Sequence, residues 1–201
     1  MIYLVGGPPR VGKTTLVKYL VQMHPMHAVS TDAIRYMLRR SVPKEALNQD
    51  IFIDFHEDVM GRWNVRSPQQ TLDEQNRQSK AYWPALEKLI EAYTEDGVDV
   101  VVEGVAILPE FAKLLRDPSR SVFLGNTAES HGEAIRRQAG TNPHDWMHNY
   151  GEEELENAAE FFMVMSHFII SEAGRYGFPY VEMVDDDFDG CLRSAAAALL
   201  K

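Results

Sequence analysis

Short apolar runs bounded by glycine alternate along this chain with longer stretches in which apolar residues recur every three or four positions. The short runs read as strands and the longer stretches as helices. Residues 2–5 form a buried-type strand closed by Gly6 and Gly7, and Leu16, Leu20 and Met23 mark a helix that Pro25 ends. Residues 27–30 suit a second short strand, after which Ser30 or Thr31 caps a helix running to about Arg40. Residues 43–96 are helical in pattern, with Leu86, Leu89, Ile90 and Tyr93 on one face and Gly97 as the stop. The β-branched run at 98–104 is the clearest strand, of the two-sided kind found inside parallel sheets. A short helix opened by Pro109, a strand at 120–124 and a helix from about Ala128 to Gln138 follow. A polar segment, 140–151, leads into a long helix whose Leu155, Ala158, Ala159, Phe162 and Ile169 face inward. A strand at 179–184 and a helix at 192–200 complete the pattern. Such alternation predicts a parallel α/β sheet, and those sheets place ligands at the carboxyl ends of their strands.

The 201 residues are 45% hydrophobic and 25% charged, which suits one globular domain with a substantial core and excludes a disordered chain. The one cysteine, Cys191, excludes an intramolecular disulfide and a cysteine-rich zinc module, and favours a reducing compartment. With 20 Lys+Arg against 30 Asp+Glu, the formal charge is -10. That sum repels phosphate backbones and anionic lipid, so neither long nucleic acid nor a membrane is expected as a partner. A small anionic substrate responds to local charge and stays open. No apolar run approaches the ~20 residues of a membrane span; the best, 98–108, is interrupted by Asp99 and Glu103. Met1 to Gly7 lacks a basic region and is too short for a signal peptide, so a cytoplasmic protein is expected.

Between the first strand and the first helix stands Gly7-Pro8-Pro9-Arg10-Val11-Gly12-Lys13-Thr14, which fits G-x-x-x-x-G-K-[ST]. Gly7 and Gly12 admit backbone angles that let successive N–H groups turn inward around a phosphate, and the helix start adds its positive end. In this pattern Lys13 reaches the β- and γ-phosphates of a nucleotide, and the Thr14 hydroxyl takes a place on Mg²⁺. The plainer alternative, a glycine turn with a surface lysine, is disfavoured by three fixed positions in the right context. The expected ligands are a nucleotide and Mg²⁺, with Gly7, Pro8, Pro9, Arg10, Val11, Gly12, Lys13, Thr14 and Thr15 as the nucleotide-binding residues.

A second signature decides the class. The D-x-x-G and N-K-x-D of a GTPase are absent, and the strand at 98–104 ends Val102-Glu103-Gly104 rather than in the Asp-Glu of a water-activating ATPase. A kinase must deliver phosphate to a hydroxyl and keep water out. Asp32, after the second strand, is the candidate to orient that hydroxyl and take its proton. Arg35, one helical turn later, is placed to hold an anionic group of the acceptor. A helix-capping aspartate with a solvated arginine is the alternative. Glu103 is expected beside Thr14, binding Mg²⁺ through water or touching substrate, against the alternative of a solvent-facing carboxylate at a strand end. Arg136 and Arg137 precede the polar segment, where a mobile lid would bring positive charge over the γ-phosphate. As neighbours on a helix they point about 100° apart, so one of them reaches, unless both belong to a solvated charged face.

Other features carry less. His144 and His148 lack a third ligand, so zinc is not expected. Asp185-Asp186-Asp187 is expected to cap a helix starting near Phe188 and to border the nucleotide base rather than hold metal. Met163, Met165, Tyr82, Trp83, Phe161 and Phe162 read as core.

With these residues in place, the chain resembles the P-loop kinases, and among them the 2-phosphoglycerate kinase-like proteins. The likeness lies in residues 7–15, in Ser30-Thr31-Asp32-Ala33-Ile34-Arg35, in Val102-Glu103-Gly104-Val105 with Pro109, and in Ser130-His131-Gly132-Glu133-Ala134-Ile135-Arg136-Arg137. Asp186-Asp187-Phe188 adds a little. The resemblance implies one domain, 1–201, of three-layer P-loop NTPase kinase-type α/β fold. Its parts are a five-stranded parallel sheet, a helical acceptor-side insert at about 43–96 and a lid at about 128–151. It implies ATP, Mg²⁺ and phosphorylation of a small hydroxylated acceptor, anionic ones included. Catalytic roles then fall to Lys13, Asp32 and Arg136 or Arg137, acceptor contacts to Asp32, Arg35 and Glu103, and metal contacts to Thr14 and Glu103. Pro8-Pro9-Arg10 departs from the small residues usual in this loop, and Arg10 is itself placed to touch a phosphate. Arg62, Arg66, Arg77 and Lys80 bind an acidic acceptor or belong to the surface. The competing functions are a nucleoside, nucleotide or polynucleotide-end kinase and a nucleotide-gated binding protein that transfers nothing.

Overall fold

Strands β1 (Ile2–Gly6), β2 (His27–Ser30), β3 (Val100–Gly104), β4 (Ser121–Gly125) and β5 (Tyr180–Glu182) lie parallel in one sheet, ordered β2-β3-β1-β4-β5. The structure, a computed structural model, describes residues 1–41, 43, 66–115, 120–139, 141, 143 and 145–201. The helices are α1 (Lys13–Met23), α2 (Thr31–Ser41), α3 (Pro68–Glu95), α4 (Pro109–Ala112), α5 (Ser130–Ala139), α6 (Glu152–Tyr176) and α7 (Phe188–Leu200). The helical pattern at 43–96 is represented by α3; residues 44–65, Arg62 among them, and also Gly140 and His144 lie outside the described residues.

Successive side chains of a strand point to opposite faces, so β1, β3, β4 and β5 each feed two cores. Leu4, Val100, Val102 and Phe123 pack with Leu86 and Ile90 of α3 and Phe162 and Ile169 of α6. Tyr3, Val5, Val101, Val122 and Leu124 pack with Leu16 and Leu20 of α1 and Leu192 and Leu199 of α7. The result is helix, sheet and helix in three layers. Tyr82, Trp83, Phe161, Phe162 and Met165 are buried, with Trp83 stacked on Phe111 at 4.8 Å between centroids. Met163 departs from the core assignment and is half-buried. Among the described residues, no helix is long and apolar enough to cross a membrane.

Local chemistry sets the element ends. The Gln70 N–H donates to Ser67 Oγ at 3.3 Å and the Ser67 N–H donates to Gln70 Oε1 at 2.9 Å, a reciprocal cap that starts α3 at Pro68. The Asp32 N–H donates to Ser30 Oγ at 3.3 Å, so α2 begins directly where β2 ends. The last strand is shorter than its apolar pattern, because a 3-10 turn, Asp185–Asp187, follows it and runs into α7 at Phe188. Asp187 occupies the N-cap but makes no side-chain capping bond, so the expected cap is one of position and charge.

Candidate active site

The phosphate loop leaves β1 and enters α1 without a side-chain cap. Gly12, at the N-cap, holds φ 84°, and a Cβ there would lie 2.6 Å from the Phe188 ring; both facts require glycine. Arg10 takes φ 69°, uncommon for a residue with a side chain. A cleft of about 1150 Å³ opens over this turn, lined by Pro9, Arg10, Gly12, Lys13, Thr14 and Thr15 but not by Gly7, Pro8 or Val11. Lys13 is 8% exposed, and its Nζ donates to the Pro8 carbonyl oxygen at 2.6 Å. Burial pushes the Lys13 pKa down, while the charges of Glu103 and Asp32 push it up. A buried ammonium bonded to a neutral carbonyl is a cation suited to an incoming anion.

Strands β1 and β3 pair in register, Val5 with Glu103 and Gly6 with Gly104. This sets Glu103 beside the first turn of α1, where Thr14 Oγ1 donates to Glu103 Oε1 at 3.3 Å. Burial pushes the Glu103 carboxyl up; the Lys13 charge opposes this and Asp32 adds to it. Hydroxyl and carboxylate oxygens are the donors Mg²⁺ takes, and a cation would favour the ionised form that burial disfavours. The pair fits such an ion.

On the far side of β3, Ser30 pairs with Glu103. Gly104 has φ +151°, and a Cβ there would lie 1.8 Å from Thr31 Oγ1, so glycine lets the start of α2 close onto β3. The Asp32 side chain is 59% exposed and lies 3.4 Å from Arg35 Nη2. Arg35 Nη1 donates to Gln78 Oε1 of α3 at 3.3 Å. Asp32, Arg35 and Glu103 all line the cleft with Lys13.

The opposite wall carries the later segments. Arg10 donates to Asp145 Oδ1 and lies 5.8 Å from the Trp146 ring centroid, so the loop arginine expected near a phosphate is held by a carboxylate of the 140–151 segment. Arg137 lines the cleft and Arg136 does not, as two adjacent helix positions require. His131, in the first turn of α5, sits 3.2 Å through Nδ1 from Asp185 Oδ2. Arg66, just before α3, pairs with Glu74 of that helix, while Arg77 and Lys80 are exposed.

A family profile described as "AAA domain" matches residues 2–107, the span that holds the phosphate loop, Asp32 and Glu103. The chain belongs to the AAA domain family. This AAA domain protein is similar to the "2-phosphoglycerate kinase" of Pyrococcus horikoshii, 23% identical over 193 residues that make up 92% of this chain and 60% of that protein. It is also similar to the "2-phosphoglycerate kinase" of Methanopyrus kandleri, 24% identical over 214 residues, 100% of this chain and 62% of that protein. The chain thus spans about three fifths of the length of the curated relatives it matches. A solved structure of an uncharacterized protein from Eubacterium ventriosum aligns over 99% of this chain and 97% of that one, at 12% identity and a TM-score of 0.47. The likeness read from separate motifs extends, in the curated relatives, over nearly all of this AAA domain protein.

Three residues of this AAA domain protein escape sequence reasoning: Gln75, which lines the cleft, and Gln78 and Asp145, which hold Arg35 and Arg10 of its lining. Gln75 and Gln78 are buried on α3 at helical spacing with Tyr82, a polar stripe where a packing helix is ordinarily apolar, and that was a readable signal. Asp145 had none, since nothing in its spacing links it to Arg10, 135 residues away.

Proposed function

We propose that this chain is an ATP- and Mg²⁺-dependent phosphotransferase that moves the γ-phosphate of ATP to a hydroxyl of a small anionic metabolite. The observation that supports it most is the gathering of Lys13, Thr14, Glu103 and Asp32 in one cleft from three neighbouring strands. Residues 7–15 hold the triphosphate, and Lys13 faces the charge that develops between the β- and γ-phosphates. Thr14, and Glu103 through water, would hold Mg²⁺, which when bound draws charge from the phosphate oxygens. Asp32 takes the proton of the acceptor hydroxyl as its oxygen bonds to the γ-phosphorus. The bond to the bridging oxygen breaks and ADP leaves. Arg35 orients Asp32 and meets the anionic part of the acceptor, and Arg137 brings positive charge from the 128–151 lid. The acceptor wall is the α2–α3 side, where Arg35, Arg39 and Gln75 line the cleft. The relatives' name makes 2-phosphoglycerate the first acceptor to try. Dependence on ATP implies a cytoplasmic setting.

ADP release over phosphoglycerates, sugar acids, sugars, nucleosides and 5′-hydroxyl oligonucleotides, with Lys13→Ala as blank, tests this. Release that requires a phosphoglycerate or sugar acid supports the reading. Release with nucleosides or oligonucleotides only would make the protein a nucleoside or end kinase. ATP binding without ADP across the panel would leave a nucleotide-gated binding protein.

A further inference from the structure

We propose that His131, held by Asp185, reads the nucleobase and makes the site selective for purines that carry an amino group at position 6. The inference rests on the phosphotransferase reading for one thing, the direction in which the triphosphate lies. Along the carboxyl edge of the sheet the strands run β2-β3-β1-β4-β5, spaced by about 4.8 Å. Asp32 follows β2 and Glu103 lies in β3, on one side of the phosphate loop, and Asp185 follows β5, two strands away on the other. The transferable phosphate must face Asp32, so the nucleoside end faces β4 and β5. There the cleft is lined by His131, Asp185 and Phe188, and the Phe188 ring packs on Gly12 and joins this wall to the loop.

The hydrogen-bonding character of this wall follows from Asp185. His131 Nδ1 lies 3.3 Å from Oδ1 and 3.2 Å from Oδ2 of that carboxylate. A carboxylate only accepts, so Nδ1 carries the hydrogen, and in the neutral imidazole form Nε2 is left with a lone pair. That Nε2 is buried with no partner among the described residues, in a side chain of a residue 8% exposed. A buried acceptor without a donor is costly, and a ligand N–H removes the cost. The pair is held from both flanks. Asn126 Nδ2 donates to the Met183 carbonyl at 2.6 Å, the Ala128 N–H donates to Asn126 Oδ1 at 3.0 Å, and Thr127 Oγ1 donates to Glu182 Oε1 at 2.9 Å. These bonds tie the turn before α5 to the end of β5, so His131 and Asp185 cannot drift apart. A 6-amino purine offers Nε2 an N–H, whereas a 6-oxo purine sets lone pair against lone pair.

Calorimetric titration of the full chain with ATP, ITP and inorganic tripolyphosphate, without acceptor, tests the proposal independently of turnover. ATP should bind at least about tenfold more tightly than ITP. His131→Asn keeps a donor for Asp185 but lacks Nε2; it should lose most of that ratio through weaker ATP binding, with tripolyphosphate affinity unchanged. Asp185→Asn, which no longer demands the hydrogen on Nδ1, should lower the ratio as well. Equal affinity of the wild type for ATP and ITP would overturn the inference and leave the phosphotransferase reading standing. A full ratio retained in His131→Asn would do the same. Should His131→Asn fail to fold, the wild-type ratio and Asp185→Asn decide. If none of the three ligands binds, both readings fall.

Discussion

Thr14 and Glu103, 89 residues apart in the chain, meet at 3.3 Å because β1 and β3 pair in register from Ile2 with Val100 to Gly6 with Gly104. A one-residue slip would turn Glu103 to the other face of the sheet and empty the position beside Thr14. Burial raises the Glu103 pKa, so the folded protein binds this proton more tightly than the unfolded chain does. Stability therefore falls as pH rises from the ordinary carboxylate range, near ~4.3, through the raised value. Glu103→Gln removes that penalty. Its thermal midpoint near neutral pH should exceed that of the wild type, and the gap should close toward about pH 4, while ADP release falls by on the order of 10²-fold. Melting curves across pH and the coupled assay measure the two effects separately.

Lys13 carries the same conflict with the opposite charge. Burial lowers its pKa, so the folded protein binds this proton less tightly than the unfolded chain. The cost is present below the unfolded value, about 10.4, where the unfolded lysine is protonated. Lys13→Met keeps the length of the side chain without the charge. Without nucleotide it should melt higher than the wild type near neutral pH, and the rise in melting temperature on adding ATP should vanish. A full ATP-induced shift in Lys13→Met would remove the lysine from phosphate binding.

Asp32 differs from both in being largely exposed to the cleft, with Arg35 at 3.4 Å. Asp32→Asn retains the shape and loses the proton acceptor. Turnover should drop by about 10²–10⁴-fold, with ATP affinity by calorimetry within about twofold of the wild type. Wild-type turnover in this variant would show that the proton leaves by another route.

The sheet and its two cores were legible because alternation along a strand and helical spacing are local. Val100, Val101 and Val102 declare a strand buried on both faces without reference to any partner. The phosphate loop was legible for a different reason: its job demands glycine, lysine and a hydroxyl at fixed spacing. Thr14 and Glu103 could be paired in advance because the strand that feeds a phosphate loop and the strand that bears such a carboxylate usually neighbour one another in P-loop folds. The contacts of Arg10 with Asp145 and of His131 with Asp185 were not, since they span 135 and 54 residues and depend on how late segments return across the cleft. The acidic run 185–187 caps α7 by position and charge alone, because a 3-10 turn leads directly into that helix.

Arg10 and Asp145 form a largely buried ion pair at the loop, with side chains 19% and 7% exposed. Burial pushes the Asp145 carboxyl up, but the Arg10 guanidinium and the Met147 N–H, at 2.8 Å, outweigh it and hold the pKa below the usual carboxylate value. The folded protein thus binds this proton less tightly than the unfolded chain. The stabilisation is fully present above the ordinary value near ~3.9 and is lost as pH falls through the lowered one. Asp145→Asn should cost about 1–3 kcal/mol near neutral pH, and the difference from the wild type should disappear only in acid below about pH 4. Trp146, 5.8 Å from the guanidinium carbon, reports the pair directly. The emission difference between the wild type and Trp146→Phe should hold steady from neutral pH down to about pH 4 and change below it. In Asp145→Asn that difference should already show the acid-form emission at neutral pH. A transition between about pH 5 and 6 in the wild type would mean that Asp145 is not held by Arg10 and that the loop arginine is free for phosphate.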